Sequence, residues 1–122
     1  MATYNASPLA SGPAGGALAR GTLVKWDGNG RLVAAVADTT YDVAGVLMEA
    51  ASALGQIVRY QVLRGTAEAI VLTDNSAIIQ GTPLYKAASG KVSATATSST
   101  LVGTAREATG SVDATLITMA PL

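Results

Sequence analysis

Gly21-Thr22-Leu23-Val24-Lys25-Trp26-Asp27-Gly28-Asn29-Gly30-Arg31-Leu32-Val33 reads as a short strand, a tight turn and a second strand. Asp27-Gly28 and Asn29-Gly30 accept positive φ at little cost, so the chain can reverse between two apolar runs. The stretch occurs twice. Gly81-Thr82-Pro83-Leu84-Tyr85-Lys86-Ala87-Ala88-Ser89-Gly90-Lys91-Val92-Ser93 has the same layout, 60 residues further on. Both copies open with Gly-Thr, place an aromatic and a Lys near the strand end, turn on Gly (30 and 90), and restart with a basic residue followed by an apolar one. A duplicated β unit organises the chain.

The remaining strands follow from that anchor. Val43-Ala44-Gly45-Val46-Leu47 is apolar on both faces and is expected to be central. In 56–63, Val58, Tyr60 and Val62 face one way and Ile57, Arg59 and Gln61 the other, a strand with one wetter face. Its counterpart is 113–119, where Thr115, Ile117 and Met119 share a side. Gly45 with Gly103, and Glu49 with Glu107, keep one register at an offset of 58 residues. Helix formers in 49–54 are therefore read as a connection with at most one helical turn, since the matching 105–110 segment is too polar for a helix. The 67–72 run is a strand joining the halves, with no duplicate expected. Eight or nine short strands at this spacing predict an all-β fold, a small barrel or sandwich. The repeat spans 21–63 and 81–120 inside a domain of residues 20–122.

Residues 1–19 differ. They carry no charge, two prolines and three glycines, and show neither strand alternation nor a helical stripe. An extended N-terminal arm is expected, flexible or ordered by a partner. Tyr4, Asn5 and Leu9 are its candidate contacts, because a solvated tail would carry more charge.

Composition narrows the function. The 122 residues are 49% hydrophobic, yet much of that is Ala, with no Phe and one Trp, so the core gains less than the fraction suggests. Help from oligomerisation or docking is expected. Eight basic residues offset eight acidic ones without clustering, which leaves no electrostatic footprint for nucleic acid. No run is long and apolar enough for a transmembrane helix, and 1–19 does not read as a signal peptide, so cytoplasmic synthesis is expected. With no His and no Cys, the commonest general base, thiol nucleophile and soft metal ligands are missing. No catalytic, cofactor-binding or metal residues are assigned, and no cofactor is expected. Gly28-Asn29-Gly30-Arg31-Leu32-Val33 starts like a dinucleotide fingerprint, but its third Gly is Val33 and no helix follows. Glu49 and Glu107 recur at equivalent places. They are read as tying down strand-end loops through backbone hydrogen bonds, in preference to a paired-carboxylate hydrolase site. Trp26 and its neighbour Lys25, at a hairpin end, are candidate contact residues.

The ordered series of Ala44-Gly45-Val46-Leu47-Met48-Glu49-Ala50, the 55–65 strand, Gln80-Gly81-Thr82-Pro83-Leu84-Tyr85, Ser89-Gly90-Lys91-Val92 and Val102-Gly103-Thr104-Ala105-Arg106-Glu107-Ala108 resembles the capsid cement or head-decoration proteins of tailed bacteriophages. The resemblance covers about residues 20–120 and excludes the arm. Thr22 and Thr82 stand where that family's pattern has an acidic residue. It implies a structural virion protein on the outer surface of the capsid, a homotrimer bound to the major capsid protein. Its role would be to stabilise the head by bridging capsomers against packaged DNA. The alternative is a carbohydrate- or receptor-binding β module of a virion or cell surface.

Overall fold

The computed structural model describes residues 9–63, 68–96, 99–108 and 115–121. It is all-β, with ten strands: β1 (Leu9–Pro13), β2 (Leu23–Trp26), β3 (Leu32–Ala34), β4 (Val43–Leu47), β5 (Ile57–Gln61), β6 (Ala69–Leu72), β7 (Pro83–Lys86), β8 (Val92–Ser93), β9 (Leu101–Ala105) and β10 (Leu116–Pro121). One 3-10 turn, Ala88–Gly90, sits between β7 and β8. The strands form two antiparallel sheets, ordered β1-β5-β4-β2-β3 and β6-β10-β9-β7-β8. These orders are the same order, taken five strands later.

The duplication is carried by the backbone bonds. Gly21 N–H donates to Leu47 O at 2.9 Å, and Gly81 N–H to Ala105 O at 2.8 Å. Asp27 N–H donates to Arg31 O across the first turn, and Ala87 N–H to Lys91 O across the second, both at 2.8 Å. β2 meets β4 with a register shift after Val24, opposite Gly45, and β7 meets β9 with a shift after Leu84, opposite Gly103. At those glycines a Cβ would collide with the carbonyl oxygens of Gln61 and Ala120 respectively. The neighbouring strand passes too close for any side chain, which is why glycine recurs at this step. Each sheet also curls until its edges touch. Ala14 bridges Leu32 and Thr73 bridges Val92, both parallel.

Two expectations change. Residues 9–19 are built into the fold: β1 pairs along its whole length with β5, Leu9 opposite Gln61 and Pro13 opposite Ile57. The arm therefore does not extend to residue 19, and residues 1–8 lie outside those described. Second, the joining strand β6 does have a duplicate. It pairs with β10 as β1 pairs with β5, Val71 opposite Ile117 where Gly12 faces Val58. Each unit thus holds five strands, with 9–61 forming the first and 69–121 the second. The 49–54 connection contains no helical turn.

The core is divided unevenly. Val24, Leu32, Leu47, Val58 and Tyr60 fill the first curled sheet together with Ala14 and Ala51. The second cluster contains Leu84, Val92, Val102, Ala105, Ile117 and Met119 of the second unit, but also Leu23, Ala35 and Val46 of the first. In β2 the alternation places Val24 inward and Leu23 outward, and both are fully buried. The second unit is stacked on the outer face of the first.

Candidate functional site

The junction between the units is where side-chain chemistry concentrates. Gly90 N–H donates to Ala35 O at 2.9 Å, and Leu72 N–H to Gly21 O at 3.0 Å. Gly90, with φ 71°, lies so close to the first unit that a Cβ there would meet Leu23 O at 2.6 Å. A Cβ on Gly21 would meet the Leu116 side chain at 2.6 Å. Backbone thus lies directly against backbone along the seam.

Lys86 is the unexpected residue of this seam. It is 1% exposed, although it is a lysine at the end of β7, beside a turn. Its ammonium donates to Asp38 Oδ1 at 2.5 Å, to Thr40 O, and to Asp42 Oδ1 at 3.1 Å. Three acceptors match three donors, so the buried cation is saturated. Thr100 Oγ1 donates to Asp38 O at 2.9 Å, and Ser99 Oγ to Lys86 O at 2.6 Å, so the partners are themselves held. The hydrogen bond from Lys86 is the largest influence on Asp38 and holds its carboxyl below the ordinary range. Burial pushes the Lys86 ammonium down, but the hydrogen bonds it donates to Asp38 and Asp42 outweigh it and leave it above its usual value. Lys25 adds a longer contact to Asp42, 3.7 Å.

The candidate contact residues are not gathered into one patch. Trp26, 45% exposed, meets Tyr60 edge-on at 6.1 Å and lies over Gly12, where a Cβ would strike the indole at 2.6 Å. Lys25 is half-buried and turned to Asp42. Leu9, 45% exposed, lines a separate shallow depression with Ala10, Ser11 and Arg59. Tyr4 and Asn5 fall outside the described residues. Glu49 accepts from Arg59 N–H at 2.9 Å and pairs with its guanidinium, the loop-tying role read from the sequence. Arg106, beside Glu107, pairs with Glu68 at 2.9 Å. Among the described residues no group of three or more carboxylates is placed to hold a metal ion.

Lys86 was hidden in the sequence by a swap. The first copy reads Lys25-Trp26 and the second Tyr85-Lys86, so the basic residue and the aromatic exchange places. The position that carries a tryptophan over the first sheet carries the junction cation in the second.

No family model matches this sequence, and no curated protein matches it. Among solved structures the chain is similar to the head fiber gp8.5 N base of bacteriophage phi29, with a TM-score of 0.68 and 18% identity. The likeness covers 93% of this chain and 92% of that one, so both five-stranded units belong to a shared fold.

Proposed function

We propose that this chain is a structural protein of a bacteriophage virion that binds the outer surface of the capsid as a homotrimer. There it bridges neighbouring copies of the major capsid protein and stabilises the head against packaged DNA. The observation that carries this reading is the end-to-end fold likeness to the base of a phage head fiber. The decoration-protein sequence pattern over about 20–120 supports it independently. Many copies, each anchored at several points, turn modest contacts into lasting attachment. The built-in interlock of Lys86 with Asp38 and Asp42 suits a part that carries load, because it ties the two units of one chain together through a buried ammonium.

Co-sedimentation with purified expanded and unexpanded phage shells tests it. Saturable binding to expanded shells, with a rise in the temperature at which they break, is the expected result. Absence of binding, together with glycan binding by the isolated domain, would turn the assignment to a carbohydrate- or receptor-binding module. Removing residues 1–8 is expected to leave the fold intact and weaken shell binding.

A further inference from the structure

The two units of one chain are not related by a two-fold. Were they so related, the first turn would rest on the second unit as the second turn rests on the first. Gly90 is buried against Thr22 and Leu23, whereas nothing lies within 4 Å of a Cβ built on Gly30. Gly21 is likewise packed against Leu116 and Leu72, whereas Gly81, with nearly the same φ (90° against 86°), has open space. The operator that takes one unit to the other is therefore not its own inverse. Such a heterologous contact uses two different faces and leaves one of each unused.

The unused faces are identifiable residue by residue. On the second unit, Pro83, Thr95 and Thr104 occupy the places of Leu23, Ala35 and Val46. The first three are exposed and the last three buried. On the first unit, Ile57 stands for Leu116, Trp26 for Lys86 and Gly30 for Gly90. Ile57 is 64% exposed and Trp26 45%. Neither face carries a charged side chain among these residues, and both have retained the glycine that permits close approach. Pro13 takes the place of Leu72 and has no N–H to give, so one of the two backbone bonds of the internal seam cannot form in a repeat of it.

We propose that a second copy of this chain occupies these faces. Ile57, Trp26 and the 28–30 turn of one chain dock on Pro83, Thr95 and Thr104 of the next, repeating the internal seam between molecules. The contact is wetter than the internal one, with threonine and proline in place of leucine, alanine and valine, as fits chains that fold first and associate afterwards. Closed on itself, it gives a ring in which the two kinds of unit alternate around the axis, six of them in the homotrimer proposed above. The inference rests on the self-association part of the proposed function and not on shell binding.

The test is solution mass, with no shell present. The wild-type chain is expected to run at three times 12.2 kDa. Ile57→Arg and Thr95→Arg each spoil one face and are expected to run as single chains that stay folded, because both sites are exposed in the single chain. Mixed in equal amounts, they are expected to form a two-chain species through the one contact that keeps both faces intact. Thr104→Arg repeats the Thr95 arm should that variant fold poorly. A wild-type chain that stays single overturns self-association. A wild-type oligomer that survives Thr95→Arg and Thr104→Arg, or variants that do not complement each other, overturns the assignment of faces. Shell co-sedimentation of the wild type is read separately, so loss of the capsid reading cannot be mistaken for either.

Discussion

Two units of one chain share five strands, one strand order, one bulge and one pair of turn glycines, yet they are buried differently. Leu23 of the first is fully buried, whereas Pro83 of the second is exposed at the same step of the same strand. Trp26 is half-exposed and Lys86, in its place, is sealed. The difference teaches that fold and junction are written in different positions. Inward residues such as Val24 and Leu84 are apolar in both units because each curled sheet has an interior to fill. Outward residues diverge according to whether the other unit covers them.

The largest expected effect breaks that pair directly. Leu23→Ala removes a fully buried side chain from the seam and should cost about 3–4 kcal/mol. Pro83→Ala, its counterpart, should stay within about 0.5 kcal/mol. Urea unfolding of both variants checks it. Equal losses would mean that the two units are more alike than their burial indicates.

Next comes the cation. Lys86→Met leaves Asp38 and Asp42 side by side without their counter-charge. Breaking a buried pair by removing one partner costs about 3–5 kcal/mol, and the solvent at these half-exposed carboxylates brings the expected loss to about 2–3 kcal/mol. The pH profile sharpens the reading. Asp38 is depressed in the folded chain, so its contribution is present above the unfolded carboxylate value near pH 4 and is lost as pH falls through the folded one. Lys86 is raised, so its contribution is complete below about pH 10.4 and is lost as pH rises through the higher folded value. Wild type should therefore lose stability at both ends. Lys86→Met should lack the alkaline loss that this lysine causes and keep part of the acid one, because Asp27 and Asp74 are also held low by turn hydrogen bonds. Melting temperature against pH for the two proteins is the measurement.

What the sequence made legible was whatever both units need. The Gly-Thr opening, the turn glycines, Gly45 with Gly103, and the alternation of 56–63 all recur because each unit closes the same way. β1 was missed because Leu9-Ala-Ser-Gly-Pro13 has poor strand formers, and its pairing with β5 is supplied by tertiary context. Its equivalence to β6, Ala-Ile-Val-Leu, is one of position and leaves no trace in residue type. The junction was invisible for a related reason. Nothing local to Lys86 announces burial; its acceptors come from a loop more than forty residues earlier. The exposed candidates Leu9 and Trp26 were readable as apolar residues at strand ends, but what covers them is not a property of their own segments.

A smaller contrast separates conformation from contact at the two turns. Gly30 and Gly90 have φ of 75° and 71°, so Ala at either position should cost about 1 kcal/mol for the left-handed backbone alone. Gly30→Ala adds nothing further, since its surroundings are open. Gly90→Ala also drives a methyl into Thr22 and Leu23 O, and should cost about 1–3 kcal/mol more. If the two variants melt together in the isolated chain, the tight seam at Gly90 is not there.

The least costly change isolates the first turn. Asp27 Oδ1 accepts from Asn29 N–H at 2.8 Å and Arg31 N–H at 2.9 Å, and these bonds hold its carboxyl below the ordinary range. Ala87 occupies the same place in the second turn and offers no such acceptor. That turn instead accepts a left-handed Ser89 at φ 60° and is held by the first unit beneath it. The exposed turn therefore depends on its own side chain, and the covered one on its neighbour. Asp27→Ala should lower the melting temperature of the single chain by the least of these variants, and Ala87→Asp should recover little, because its turn is already fixed from below. Should the 28–30 turn be covered by a second chain, as proposed, the penalty of Asp27→Ala should shrink under conditions where the wild type is assembled. The same variant thus compares a turn standing free with a turn that has been given the cover its twin already has.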